Sequence, residues 1–413
     1  MKKRLGILVI SLLIVALILS VTACSGTGEQ TEQPAPEKPA DTPQQPEEPA
    51  DEEPAEQSNL EASLSIDISN VRGSDGQLLL EYGETREIPP KPTDKEELEM
   101  WNIEYAGRLT EKLPMIPSPK DGIIGKRIVM IQQSEHPYFT AVSNGAKMAA
   151  EAYKAELQIW NPNGDLNQQN QFVDKAIAEK VDMVLLAPLD AKAGVQQFKK
   201  LYDAGIPAIA FNMIPTDEAM KYVLAITAPD DFGQFRKLAD FLAKDVGGKA
   251  GVGYITHIPG GSPYFARTTN VIKFYEQNYP DMKTLDVQSP GFDAPKSKQV
   301  VADWITRFGD ELTCIVISDD SAQALGATQA AEEAGRSDIK MIAAGNSKVG
   351  MDLVAQGKLF AITYQSAEAD GAIPIKVAAD YFNGVELGEN AAFYLPQAII
   401  TKDNVEEYMP AQW

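Results

Sequence analysis

From Gly125 onward the chain repeats one pattern, a short apolar run followed by an amphipathic stretch of helical length. Apolar runs fall at 127–132, 157–160, 181–187 and 207–211, with helical stretches at 139–154, 168–180 and 193–204 between them. Short apolar strands alternating with such helices predict βαβ units and a parallel sheet. The strand starts lie about 25 to 30 residues apart, close to the size of one βαβ unit. A second series follows, with strands expected at 251–256, 284–288, 314–318, 341–344 and 359–364. Its helices are expected at 263–278, 296–307, 321–333 and 348–355. Two such series exceed one ordinary sheet, and 123–413 is long enough to give two similar α/β lobes a core each.

The segments before Gly125 obey different rules. Met1-Lys2-Lys3-Arg4 is a basic start, 5–20 is an almost unbroken apolar run, and Val21-Thr22-Ala23 puts small residues before Cys24. That order is the pattern of an export signal covering 1–23. The alternative is a membrane anchor, which needs roughly 20 apolar residues. Residues 25–58 are rich in Pro, Glu and Gln and contain no aliphatic residue larger than Ala. Such a stretch buries too little apolar surface to order itself, so 24–59 reads as an anchor point plus an extended linker. Residues 60–124 read as an arm packing loosely on the main body, with a strand at 64–68 and a helix at 95–113.

Composition narrows the function. The chain has 413 residues and a formal charge of −22, which argues against nucleic acid as a partner. Its only cysteines are Cys24 and Cys314, which excludes a disulfide framework. Cys314 lies in the apolar run 312–317 and reads as a small core residue. With two histidines, His136 and His257, no Cys/His metal spacing arises, and no cofactor is expected.

In open α/β sheets ligands bind beyond the carboxyl ends of the strands. The residues there are Gln132, His136, Tyr138, Phe139 and Asn212 in the first series. In the second they are Arg267, Phe292, Asp320, Asn346 and Gln365. Carboxylates and amides bridge hydroxyl groups, arginine donates in a fixed fork, and aromatic faces suit C–H surfaces. The mixture therefore points to a polyhydroxylated small molecule held between two closing lobes. Each residue has a plainer reading beside it. Asp320 and Asn346 could cap the next helix, Phe139 could be core, and Arg267 could pair with a surface carboxylate. An enzyme using Asp319, Asp320 and Glu135 is a further alternative. Glycosidic chemistry needs two carboxylates about 5 to 9.5 Å apart, which adjacent residues at a strand end do not offer.

Several of these stretches resemble the ribose- and galactose-binding branch of the type I periplasmic solute-binding proteins, in lipoprotein form. Residues 128–139, ending His136-Pro137-Tyr138-Phe139, resemble the family's first strand and its aromatic turn. Residues 182–188, Ala204-Gly205-Ile206-Pro207 and Phe211-Asn212 resemble its third and fourth strands. Ala266-Arg267-Thr268-Thr269-Asn270-Val271-Ile272-Lys273 is similar to the galactose-binding version of its helix. Residues 317–327 and 357–365 resemble two later segments. The resemblance covers 126–401 and implies two doubly wound Rossmann-like lobes joined by a three-strand hinge. It places crossovers near Ala228, near Ser366 and at 383–387, hence lobe 1 at 125–228 and 366–384 and lobe 2 at 229–365 and 385–413. It also implies a lipidated Cys24, a sugar or polyol ligand held by the ten residues named above, and an ABC permease as partner. A sensor kinase or chemoreceptor is the alternative partner. The chain is expected to act as a monomer outside the cell. Met213 stands where the ribose type has Arg, and His136 where Asn or Asp is usual. Asp320 replaces an Asn, and Asn346 an Asp.

Overall fold

The computed structural model describes residues 53–108, 112–388 and 391–413. The expected signal segment, Cys24 and most of the expected linker lie outside the described residues. Two six-stranded sheets organise the rest. The first holds β1 (Arg127–Ile131), β2 (Glu156–Trp160), β3 (Met183–Leu186), β4 (Ala208–Phe211), β5 (Ala225–Ala228) and β11 (Ala392–Tyr394). The second holds β6 (Lys249–Ile255), β7 (Asp281–Gln288), β8 (Leu312–Ile317), β9 (Lys340–Ala343), β10 (Ala361–Thr363) and β12 (Ile399–Thr401). Their orders are 11-5-4-3-1-2 and 12-10-9-8-6-7, parallel throughout except for β12, which runs antiparallel to β10. Both sheets reverse direction of winding at corresponding places, β1/β3 and β6/β8, which is where such sheets open a crevice for a ligand. The expected architecture of two doubly wound lobes is therefore the observed one.

Helices α1 (Glu53–Leu64) and α2 (Lys95–Glu104) precede the lobes. Helices α3 (Pro137–Tyr153), α4 (Leu166–Glu179), α5 (Ala191–Asp203) and α12 (Ala367–Phe382) cover the first sheet. The second carries α6 (Asp231–Asp245), the short turn α7 (Ser262–Tyr264), α8 (Asn270–Asn278), α9 (Ala294–Phe308), α10 (Ala322–Glu333) and α11 (Lys348–Ala355). A π-turn, Phe265–Thr269, joins α7 to α8 and carries Arg267. Side chains at strand ends start the helices: Asp165, Asp190, Asp293, Ser347 and Ser366 each accept a backbone N–H of the following turn. Helices α3 and α12 approach backbone to backbone. A Cβ on Gly145 would strike the Glu368 carbonyl, and one on Gly371 the Val142 carbonyl.

Several expectations need correction. Strand β11 belongs to the first sheet, paired parallel with β5. The third crossover therefore lies between β11 and β12, not at 383–387, and 385–413 is shared between the lobes. Three residues at a sheet edge carry no readable alternation, so the sequence pattern passes over them. The sequence reading also assigns no element between 212 and 250, where β5 and α6 lie. Residues 53–64 are helical where a linker to 59 is expected, no strand forms at 64–68, and α2 ends at Glu104.

The arm is no loose appendage. Leu79, Leu80 and Ile123 are buried in the first lobe's core. Its polar groups reach all three crossovers. Arg86 Nε lies 2.6 Å from Asp230 at the first, and the same guanidinium pairs with Glu104, which also binds Arg236. At the second, Asp75 Oδ2 accepts from Tyr364 Oη (2.8 Å) and Ser74 N–H donates to Glu368 (2.7 Å). At the third, Gly83 N–H donates to the Tyr394 carbonyl (2.7 Å) and Arg108 Nη2 to the Tyr394 hydroxyl (2.8 Å). Segment 72–108 thus clasps the hinge.

Removing one partner from a buried ion pair strands the other, at about 3 to 5 kcal/mol. Arg86→Ala is accordingly expected to lower the stability of the protein by about 3 kcal/mol in urea unfolding, because Asp230 is left buried without its guanidinium. A loss below about 0.5 kcal/mol, the ordinary range for surface substitutions, would mean that the clasp contributes little.

Candidate functional site

The carboxyl ends of β1, β4, β8, β9 and β10 bring a connected set of polar side chains together between the lobes. Arg267 donates from Nε and Nη2 to Asp231 Oδ1 (3.1 and 2.8 Å), from Nη1 to the Ser318 carbonyl (2.9 Å) and from Nη2 to Gln365 Oε1 (3.2 Å). Gln365 Nε2 donates onward to the Tyr138 hydroxyl at 3.2 Å. That hydroxyl donates to Asp370 Oδ2 (2.8 Å), and Asn212 Nδ2 donates to the same oxygen (2.6 Å). Asn212 reaches it from a left-handed backbone, φ 69°, a region Asn tolerates. Asn346 Oδ1 accepts the Gln365 N–H at 3.2 Å, and Asp320 Oδ2 accepts the Ser347 N–H at 2.8 Å.

The capping alternatives for Asp320 and Asn346 fail, because their neighbours do that work. Asp319 accepts the Ser321 and Gln323 N–H groups at the start of α10, and Ser347 caps α11. Asp320 and Asn346 are left fully buried. Gly345 (φ 107°) and Gly350 make room for the Asp320 carboxylate, since a Cβ at either would meet it.

Four buried polar atoms around this chain of hydrogen bonds have no protein partner: Asp320 Oδ1, Asp370 Oδ1, Asn346 Nδ2 and Trp413 Nε1. Leaving such an atom unsatisfied costs about 1–3 kcal/mol, so each asks for an occupant. The Trp413 ring meets Tyr138 edge to face at 5.3 Å, with His136 at 5.9 Å. Burial pushes the Asp320 carboxyl well above the usual carboxylate range, with the Asp319 charge adding to it. Burial likewise raises Asp370 to about 7, against the hydrogen bonds from Asn212 and Tyr138. At Asp231 burial raises the pKa and the Arg267 charge opposes it.

Of the residues read from sequence, the structure joins Tyr138, Asn212, Arg267, Asp320, Asn346 and Gln365, with Phe139 buried edge-to-face against Tyr138. Three stand apart. Gln132 Nε2 is turned into the fold, donating to the Phe139 carbonyl (3.2 Å) and Ser143 Oγ (2.8 Å), so it fixes the start of α3. His136 is exposed and caps α3 through Nδ1. Phe292 is 46% exposed, its ring edge-on to His257 at 4.9 Å. Four residues went unread: Asp231, Asp370, His257 and Trp413. Asp370 had no local signal to set it apart from Glu368 in the same buried helix start. Trp413 had none, being the last residue of an irregular tail.

Among the described residues no cluster of His, Cys, Asp and Glu could hold a metal ion, and no helix is long and apolar enough to cross a membrane. Cys314 is fully buried, its thiol pushed up to about 12 by desolvation. An open groove of about 900 Å³ lies away from the connected set, between the arm and α8, lined by Trp101, Tyr105 and Lys273 among others. Volume alone would favour it. The unpartnered atoms favour the space between the lobes.

The Asp370 shift has a definite sign. Its folded pKa of about 7 exceeds the usual 3.8, so between those values the folded chain holds a proton that the unfolded chain has lost. Its contribution is therefore fully present below about pH 4 and is lost as pH rises through 7. Relative to Asp370→Asn, the wild type is expected to lose up to about 4 kcal/mol between pH 4 and 8. A stability difference that stays flat across that range in urea titrations would show Asp370 to be ionised throughout.

A xylitol-binding protein of Mycolicibacterium smegmatis is 26% identical over 68% of this chain and 78% of its own. A D-ribose/D-allose-binding protein of Pseudomonas aeruginosa is 26% identical over 62% of this chain and 82% of its own. The fold is shared with an ABC transporter solute-binding protein from Bacillus halodurans with bound myo-inositol. There the TM-score is 0.62 at 22% identity, over 70% of this chain and 99% of that one. Residues 124–386 match the family described as periplasmic binding protein domain, leaving the arm almost wholly outside it. That match spans well over half of the chain, and the protein belongs to the periplasmic binding protein family.

Proposed function

We propose that this protein is the extracytoplasmic receptor of an ABC importer, capturing a sugar or polyol between its two lobes. The observation that carries the reading is the set of four buried, unpartnered polar atoms in the cleft. Two are carboxylate oxygens that accept from hydroxyls and two are N–H donors that serve hydroxyl oxygens. A polyol offers both kinds of group on every carbon. The sugars and polyols bound by the relatives, xylitol, ribose and allose, support the same class.

In this reading Tyr138, Phe139, Asn212, Arg267, Asp320, Asn346, Gln365, Asp370 and Trp413 line the ligand, and Gln132 positions the aromatic turn. His136 and Phe292 stand at the rim. The protein binds and releases without catalysis. Residues 1–23 direct export, Cys24 takes the lipid that anchors the chain to the membrane, and the linker sets the reach to the permease. The closed lobes present a surface to that permease as a monomer.

Thermal unfolding against a panel of sugars, polyols and nucleosides tests the ligand class. A ligand at 100 times its Kd adds about 2.7 kcal/mol. Stabilisation by a polyhydroxylated compound supports the reading; stabilisation by another solute class alone overturns it. Arg267→Ala is expected to weaken binding of the compound so found by roughly 100-fold in calorimetry, since Gln365 loses its orienting donor and Asp231 is left buried without its guanidinium. Unchanged affinity would remove Arg267 from the site. For the anchor, Cys24→Ala is expected to move the protein from the membrane to the soluble fraction, and a protein still membrane-bound would exclude the lipidated cysteine.

A further inference from the structure

We propose that the ligand carries a protonated amine on its polyhydroxylated scaffold, as an amino sugar or an aminated polyol does. The inference rests on the polyol reading above and adds the charge that the reading leaves open.

The buried space between the lobes holds more acid than base. Three carboxyl groups, Asp231, Asp320 and Asp370, belong to the connected set, and each is buried. Against them stands one guanidinium. Arg267 is committed within the protein, to Asp231, to the Ser318 carbonyl and to Gln365. Met213, next to Asn212, brings no charge, its sulfur lying 3.1 Å from Gln133 Nε2. His257 brings no charge at neutral pH, because burial and the nearby Arg267 hold its imidazole down at about 4. The site is therefore short of positive charge.

The geometry says where that charge would go. Asp320 and Asp370 each use Oδ2 within the protein and leave Oδ1 without a partner. A hydroxyl brings such an oxygen one donor and no charge. An ammonium brings three donors and the missing charge, which counts for more in a space shielded from water. Without it the two carboxyls relieve their burial by holding protons, which agrees with the upward displacement of both. The remaining unpartnered groups, Asn346 Nδ2 and Trp413 Nε1, are donors, so the scaffold keeps hydroxyl or ring oxygens for them. Trp413 and Tyr138, edge to face at 5.3 Å, add aromatic surface of the kind that attracts a cation.

The test is calorimetry on the full chain at pH 7 and constant ionic strength with matched pairs: D-glucosamine and D-glucose, D-galactosamine and D-galactose, 1-amino-1-deoxy-D-sorbitol and D-sorbitol. The amine of at least one pair is expected to bind at least about ten-fold tighter than its hydroxyl partner. Asp370→Asn and Asp320→Asn, one in each lobe and both preserving shape, are each expected to weaken the amine about ten-fold or more and the hydroxyl partner less. Hydroxyl members binding as tightly as the amines would overturn the amine and leave the polyol reading standing. Binding by no member of either series would overturn the amine, and the polyol reading falls with it only where the wider unfolding panel also yields no polyhydroxylated ligand. The wild-type comparison decides between these outcomes even where a variant fails to fold.

Discussion

Gln365 sits at the second crossover with its amide divided between the lobes. Its oxygen accepts from Arg267 on the π-turn of the second lobe, and its nitrogen donates to Tyr138 on the first helix of the first lobe. Neither group is placed without the other. Arg267 is further held by Asp231, the first residue of α6, and Tyr138 by Asp370 in the first turns of α12. Both helices begin where the chain has just changed lobes. The site is thus built from the hinge outward, and a shift of one lobe disturbs the half-site on the other. Low dielectric strengthens such a chain of bonds and raises the cost of breaking it at any link.

The arm acts on the same place from the opposite side. Its ion pair between Arg86 and Asp230 ends on the residue immediately before Asp231. Asp230 also caps α6 through Gly233 N–H and accepts from Gln397 at the third crossover. One carboxylate therefore ties together the arm, the first crossover and the third. Asp75 does the same at the second, between Tyr364 and Gln412, the residue before Trp413. Rotation at a hinge needs freedom in its crossing strands. A clasp on all three restrains that freedom, and segment 72–108 that forms it lies outside the residues matching the family.

What the sequence disclosed follows from which signals are local. Parallel strands buried on both faces announce themselves as apolar runs, so β1, β4, β8, β9 and β10 were legible, and with them the strand-end residues Tyr138, Asn212, Asp320, Asn346 and Gln365. Strand β11 was not, because three residues at an edge show no period. Asp370 lies in a helix whose other first-turn residues are small or acidic, and nothing local separates it from Glu368, which the arm occupies instead. Trp413 is held from far away in sequence, its carbonyl accepting the Lys348 N–H at the start of α11, 65 residues distant. Gln132 misled for the converse reason. It stands at the right strand end, but its amide completes the turn of α3.

The strand ends of the second lobe show how a fold accommodates groups it does not itself satisfy. At each of two ends a pair of adjacent polar residues divides the labour. Asp319 and Ser347 hold the next helix, while Asp320 and Asn346 turn inward and keep one atom unpartnered. The capping member contributes about 1 kcal/mol, and the inward member costs a comparable amount while its atom stays unpartnered. In the first lobe Gln132 anchors the turn that carries Tyr138. Pairing the two roles on neighbouring residues fixes the backbone beside each unsatisfied atom, so the atom cannot relax by swinging away to find a partner. Preorganisation of that kind lowers the ordering cost of satisfying those atoms from outside the fold.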